Sequence, residues 1–214
     1  MLSLLLRPER LESMADAVET ASHRGTPVYV AGPAVFDQIA GFPVHRGVLA
    51  LAGRRVPAGA MALLEGVATA VIVEGVNDHE NLGAIFRNAA AFGAGAVLLD
   101  PTCCDPLYRR AVRVSMGNVL RVPFGRLEPW PAALAGVSQR GFTVVALDPS
   151  AAKPIEALQC PGPVAVLAGS EGPGLSEAAR TAADERVRIG MAAGVDSLNV
   201  ATALAIALHR LARP

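Results

Sequence analysis

The sequence predicts an α/β protein: a mainly parallel sheet with helices on both faces, preceded by a short N-terminal α/β piece. Three observations lead there. Short apolar runs recur along the chain and, from Ala70 onward, alternate with helix-length patterns, as in a parallel sheet whose crossovers are helices. Of 214 residues 52% are hydrophobic but only 4% aromatic, so the core is built of Ala, Val and Leu, which suits helices packed closely on a sheet. Three polar, glycine-rich turns each follow a strand candidate and precede a helix candidate, where open α/β sheets carry ligands.

The elements follow in order. Leu11–Ser22 reads as a helix, and Val28–Val30 and Val48–Ala52 as strands of the N-terminal piece. The segment RRVPAG at Arg54–Gly59 reads as a linker, placing one unit over residues 1–60 and a larger one over 67–214. In the larger unit the expected strands are Ala70–Val73, Ala96–Leu99, Val119–Val122, Phe142–Ala146, Val164–Ala168 and Val187–Ile189. The expected helices are Leu82–Phe92, Pro106–Met116, Pro131–Gln139, Ser176–Ala183 and Ser197–Leu211.

Composition narrows the function. The formal charge is zero, so net charge alone argues for no polyanionic partner. Its distribution is uneven: Leu107 to Arg126 carries Arg109, Arg110, Arg113, Arg121 and Arg126 with no acid, and Gln38 to Leu64 carries Arg46, Arg54 and Arg55 with no acid. Such local basic surfaces suit a phosphate backbone, or simply a solvated helix face. Cys103, Cys104 and Cys160 lack CxxC or His/Cys ligand spacing, so neither a disulfide framework nor a metal site is expected, and the chain reads as reduced and cytoplasmic. The apolar run in MLSLLLRPER is too short for a signal peptide, and no run has the ~20 apolar residues of a membrane helix.

The chemistry-bearing residues sit in the three turns. NDHENLG follows Ala70–Val73 and leads to Arg87, a guanidinium among apolar helix residues and costly to desolvate without a partner. It is either a surface residue or a functional one. GSEGPGLS follows Val164–Ala168, but it lacks the phosphate-loop and dinucleotide patterns, and Glu171 inside it repels phosphate. AAGVDSLN follows Val187–Ile189. Ser197 there is a ready helix cap, while Asn199 is an unfavoured choice for a first helical turn.

Taken together, NDHENLGAIFRNAAAFG, VAVLAGSEGPGLS and RIGMAAGVDSLNVATALAIALHRL resemble, in order and spacing, the three motifs of the SpoU/TrmH branch of the SPOUT RNA methyltransferases. The resemblance runs from about Val67 to Arg210 and includes DPLYRRAVRVSMGNVLRVPF. It implies an α/β catalytic domain over 67–214 with a C-terminal trefoil knot, a homodimer, S-adenosylmethionine as methyl donor without a metal, and a 2′-O-methylated ribose in rRNA or tRNA, rRNA slightly favoured. No DNA or membrane partner is implied. By position it implies catalytic roles for Asn81, Arg87, Glu171, Ser197 and Asn199, with Arg87 polarising the ribose hydroxyl. Donor contacts would come from Gly169, Ile189, Met191, Ser197 and Leu198, and RNA contacts from Arg46, Arg109, Arg110 and Arg113. Residues 1–60 resemble a shortened form of the family's ribosomal-protein-like substrate-binding domain. Two positions depart from the pattern: Gly190 stands where proline is usual and Asn88 where threonine is common.

Three rivals remain at the level of sequence. One is a catalytically silent RNA-binding protein of the same fold. Another is a dinucleotide-dependent enzyme, for which GAGAVLLD places its glycines before a strand instead of after it. The third, methylation of a base, is disfavoured by the NxxxxxR and SLN patterns.

Overall fold

A computed structural model describes residues 1–41, 43–54 and 59–212. The chain divides into two compact units, Met1–Val56 and Pro57–Pro214. Most of the expected linker, residues 55–58, lies outside the described residues.

In the first unit β1 (Ser3–Leu6) is the central strand, parallel to β2 (Val28–Val30) and antiparallel to β3 (Val48–Leu51). Two helices, α1 (Ala15–His23) and α2 (Pro33–Ala40), complete it. The opening run is therefore a strand whose Leu4 and Leu6 are buried, together with Ala21 of α1 and Phe36 of α2. The second helix is bracketed by Pro33 at its start and by Gly41 with φ +73° at its end, both ordinary helix punctuation.

The second unit is a six-stranded, fully parallel sheet in the order β6-β5-β4-β8-β7-β9. Its strands are β4 (Thr69–Glu74), β5 (Ala96–Leu99), β6 (Phe124–Arg126), β7 (Thr143–Leu147), β8 (Val164–Gly169) and β9 (Glu185–Val187). Its helices are α3 (His79–Ala91), α4 (Arg109–Val114), α5 (Leu134–Ser138), α6 (Glu177–Ala182) and α7 (Val200–Leu211). Alternate strand residues face opposite layers. Val71, Val73, Val97, Leu99, Val145 and Val166 pack with Leu82, Ile85, Phe86 and Ala89 of α3 and with Leu204, Ala207 and Leu208 of α7. Ile72, Leu98, Val144, Ala146 and Leu167 pack on the other face with Leu134 and Val137 of α5 and Ala179 of α6. A strand buried on both faces needs an unbroken apolar run, which is why these strands read so clearly in sequence.

Two expected strands are corrected. Val119–Val122 is a single 3-10 turn over Asn118–Leu120, and the strand follows at Phe124–Arg126. Val119 and Val122 are both buried at a spacing of three, a helical repeat, and the Val122 amide donates to Asn118 O at 2.9 Å. The last strand ends at Val187 and not at Ile189, which releases Ile189 into the following loop.

The chain steps outward from β4 through β5 to β6, then returns to build β7, β8 and β9 on the other side. The order reverses between β4 and β8. In open parallel sheets that reversal leaves a crevice at the carboxyl ends of the flanking strands, where ligands bind.

Candidate functional site

Because all six strands are parallel, the turns after β4, β8 and β9 share one edge of the sheet. Each is held by side-chain hydrogen bonds, several of them from neighbouring elements. The turn after β4 is pinned by buried Asp100, whose carboxylate accepts from the amides of Gly75 and Cys103, both at 3.0 Å, and from the Thr102 hydroxyl at 2.7 Å. Burial opposes the Asp100 charge, but hydrogen bonding from the Cys103 side chain, the Gly75 amide and Thr102, in that order, holds its carboxyl below the ordinary range. Burial pushes the neighbouring Cys103 thiol up to about 12, so it is a core group and no nucleophile.

Asp78 caps α3, accepting from the amides of Glu80 at 2.7 Å and Asn81 at 2.9 Å, with the Asn81 bond the main cause of its lowered pKa. The helix thus starts at His79, three residues before the expected Leu82, and Asn81 lies in its first turn. The turn after β8 folds back tightly on its own strand, with the Gly174 amide donating to Ser170 O at 3.0 Å. A Cβ on Gly169 would stand 2.2 Å from the Gly174 carbonyl carbon, so only glycine fits there. Ser176 caps α6 and is gripped by Glu74 at the end of β4: one carboxylate oxygen accepts from the Ser176 amide at 2.8 Å, the other from the Ser176 hydroxyl at 2.7 Å and Trp130 Nε1 at 2.6 Å.

The third turn ends at Asn199, and this residue joins all three. Asn199 Oδ1 accepts from the amides of Ala201 at 3.0 Å and Thr202 at 3.1 Å, capping α7. Asn199 Nδ2 donates to Asn81 Oδ1 at 2.7 Å and to Glu171 Oε1 at 2.5 Å. The cap is therefore Asn199, not Ser197, and the helix begins at Val200 instead of Ser197. One amide uses its acceptor to start a helix and its donors to link residues 118 and 28 positions away.

Two cavities flank this junction. The larger in overall extent, with about 1050 Å³ of space including its open mouth against about 600 Å³ for the other, although their interior volumes of about 300 and 310 Å³ are nearly equal, lies over the ends of β7 and β8. Its walls include Gly169, Glu171, Ile189, Met191, Ser197 and Leu198, so every residue expected to touch a donor lines it. The smaller lies beyond β4 and is lined by Gly75, Asn77, Asp78 and Asn81. Ser170, Glu171, Pro173 and Val200 belong to both walls, so the cavities meet at the Asn199 junction. Asp148 closes the larger cavity from β7: it is buried, is held below the ordinary carboxylate range despite burial by Ser150 and Arg186, and is gripped by two Arg186 nitrogens at 2.7 and 3.1 Å. At Gly190 an added Cβ meets nothing within 4 Å.

Arg87 is exposed on α3 and lines neither cavity, so a single protomer does not bring it to the Asn81–Glu171–Asn199 group. Arg109, Arg110 and Arg113 are exposed on α4, but Arg110 is held by Glu80 through two nitrogens at 2.6 and 3.0 Å. Arg46 is exposed in the first unit, where its carbonyl accepts from Arg10 Nε at 3.0 Å. Asn88, at the position where threonine is common, donates to Ala201 O at 2.8 Å and ties α3 to the first turn of α7. Sequence reasoning gave no role to Glu74, Asp78 or Asp100: Glu74 holds Ser176 across 102 positions and Asp100 holds Gly75 across 25, with no local signature, whereas the cap at Asp78, made to amides two and three residues on, was there to be read. Among the described residues no group of three or more His, Cys, Asp or Glu is placed to hold a metal ion, and no helix is long and apolar enough to cross a membrane.

The fold and site define a class: a parallel α/β protein with paired cavities at the carboxyl edge of its sheet, joined by three polar loops. Residues 68–209 match the SpoU rRNA Methylase family, and the chain belongs to that family. It is 46% identical over 204 residues to an uncharacterized tRNA/rRNA methyltransferase of Mycobacterium tuberculosis, covering 94% of this chain and 71% of that protein. Among solved structures it resembles an AdoMet-bound rRNA methyltransferase from Sinorhizobium meliloti, with a TM-score of 0.83, 27% identity, and coverage of 98% of this chain and 78% of the other. It also resembles an RNA 2′-O ribose methyltransferase, with a TM-score of 0.72, 25% identity, and coverage of 99% and 80% respectively.

Proposed function

We propose that the protein transfers a methyl group from S-adenosylmethionine to a ribose 2′-hydroxyl of RNA, rRNA ahead of tRNA, and that it acts as a cytoplasmic homodimer. The observation that carries this reading is the shared wall of the two cavities. A methyl transfer needs donor and acceptor in adjoining pockets with the reacting atoms in line. Here the larger cavity suits the donor and the smaller an acceptor nucleotide, and Glu171 and Asn199 stand where they meet.

The donor set fits the cosubstrate. S-adenosylmethionine supplies an electrophilic methyl on a cationic sulfur. The larger cavity offers Leu147, Leu175, Ile189 and Leu198 to a flat adenine, and Glu171 and Asp196 to a ligand of net positive charge. A dinucleotide pyrophosphate meets the opposite: carboxylates and no glycine cradle of the known patterns. Its volume of about 300 Å³ falls at the lower end of small-molecule sites, roughly 300–1,000 Å³.

On the protein side, Asn199 holds Asn81 and Glu171 in one orientation, and Asn81 presents the acceptor ribose from the first turn of α3. Ser197 shapes the loop over the donor. Arg87 stabilises charge on the 2′-oxygen as its proton leaves, to solvent or phosphate, because a guanidinium offers hydrogen-bond donors and no acceptor. Its position outside both cavities of its own protomer makes the homodimer part of the proposal. The first unit serves as an RNA-capture domain. The path from β8 to β9 beyond β7, and back to α7 packed on α3 and β8, supports a knot within the last third of the chain.

The test is transfer of labelled methyl from S-adenosylmethionine to total RNA, with donor binding measured by calorimetry. Wild type binds donor and labels RNA at ribose. Arg87→Ala retains donor binding and loses transfer. An Arg87→Ala protein that labels RNA at the wild-type rate overturns the assignment of Arg87, and absence of donor binding by the wild type overturns the function.

A further inference from the structure

We propose that the rings of His79 and Tyr108 form a shelf on which an unpaired RNA base stacks, beside the nucleotide that enters the smaller cavity. The proposal rests on the RNA-methyltransfer reading above and adds a specific contact to it. The two ring centroids are 4.2 Å apart with planes at 40°, and Tyr108 is 47% exposed. Both tyrosines are exposed, Tyr29 at 57% and Tyr108 at 47%, while Phe36 and Phe86 are fully buried; Tyr108 is the tyrosine set against the ring of His79 at the start of α3.

Its location is set by α3. His79 is the first residue of that helix and follows Asn77 and Asp78, which line the smaller cavity. A nucleotide held there therefore has its chain neighbour within reach of the shelf. Base faces stack on aromatic rings irrespective of sequence, which suits a site next to the reacting nucleotide.

The shelf is also pre-formed. The Tyr108 amide donates to Asp105 O, and the Tyr108 carbonyl accepts from the Val112 amide, each at 3.1 Å. Arg110 grips Glu80 with two nitrogens, tying the start of α4 to the start of α3. Little ordering cost is then left for binding.

Charge separates the two edges of the shelf. At the start of α3 stand Asp78, which lines the smaller cavity, and the Arg110-paired Glu80, and both disfavour phosphate. Along α4 stand exposed Arg109 and Arg113, which favour it. A strand of RNA satisfies both, with a neutral base over Tyr108 and its backbone along α4.

The experiment uses the whole protein and single-stranded RNA oligonucleotides carrying one 2-aminopurine at successive positions, with anisotropy for affinity and 2-aminopurine emission for stacking. Wild type and Tyr108→Phe quench the probe at one position and bind within about threefold of each other. Tyr108→Ala and Tyr108→Leu lose the quenching and bind roughly 5- to 150-fold more weakly, the range of one aromatic–base stack. Both keep the wild-type Tm and donor affinity. Wild-type affinity and quenching in Tyr108→Leu, or no quenching by the wild type at any position, overturns the shelf. Labelled methyl transfer to total RNA, run alongside, separates the outcomes: transfer with an unaffected Tyr108→Leu sinks the shelf alone, and no wild-type transfer sinks the functional reading.

Discussion

Asn199 offers a substitution that divides its two jobs. As acceptor it caps α7, and as donor it holds Asn81 and Glu171. Asn199→Asp keeps the acceptor at the helix start, where a carboxylate gains about 0.3–1 kcal/mol from the helix dipole. It also turns both donors into acceptors facing Asn81 Oδ1 and Glu171 Oε1. Repulsion between two carboxylates at about 4 Å is roughly 1 kcal/mol in water and about 4 kcal/mol at a half-buried surface, and these groups are exposed. The two effects nearly cancel, so Asn199→Asp melts within about 3 °C of wild type. Asn199→Ala loses the cap, about 1 kcal/mol, and melts roughly 2–4 °C lower. Activity behaves differently. Both variants release the same junction, and a displacement on the order of 1 Å costs up to about 100-fold in rate. Scanning calorimetry paired with labelled methyl transfer reads both quantities. Wild-type transfer by Asn199→Asp would falsify the idea that its donors position the site, and an unchanged Tm in Asn199→Ala would refute the cap energetics.

Two further outcomes follow from groups that hold the loops. Glu74 uses both oxygens as acceptors for three donors, so in Glu74→Gln the new amide must face a donor whichever way it turns; the expected loss is about 1–3 kcal/mol, seen as a Tm lower by roughly 2–12 °C, with weaker donor binding by calorimetry, and a wild-type melt contradicts it. Asp100, with its folded pKa below the unfolded 3.8, contributes stability that is complete above that value and drains away as pH falls through the lower folded one, so acid unfolding of Asp100→Asn is shallower over that window, and an identical acid profile contradicts the linkage.

What could be read from sequence divides along physical lines. Ala96–Leu99 is a strand with the expected bounds because a strand buried on both faces has to be apolar at every position. The run Ser3–Leu6 differs in that it starts with a serine and buries only alternate residues, Leu4 and Leu6, and its pairing partners lie 24 and more residues away, so nothing local marks it as a strand. The second helix carries its signals, Pro33 and Gly41, on a segment of only eight residues, too short for a clear apolar repeat. Around the site the three turns stand out because each carries polar side chains, Asn81, Glu171, Ser197 and Asn199, in a glycine-rich stretch between an apolar strand and a helix. The bond from Asn199 to Asn81 spans 118 positions and has no local trace. Glu74 was invisible for the opposite reason: a carboxylate at a strand end looks like a solvent contact until Trp130 and Ser176 are found on it.

Arg87 shows how packing and chemistry share one helix. The inner face of α3 is fixed by Leu82, Ile85, Phe86 and Ala89, each fully buried. A second stripe is fixed by Gly83, where a Cβ would stand 2.8 Å from Ala111 O, so α4 rests directly on the α3 backbone. Residue 87 is four positions beyond 83 and hence about 40° from it around the axis, on the same stripe one turn further along. At that point α3 leaves the cover of the short α4, and Arg87 emerges into solvent. The desolvation cost posed by its apolar neighbours is therefore not incurred in the single chain. It would be incurred if an anion or, as proposed above, a second protomer covered the guanidinium, whereas Asn81, six residues earlier on the same helix, is already bonded into the junction of the three loops.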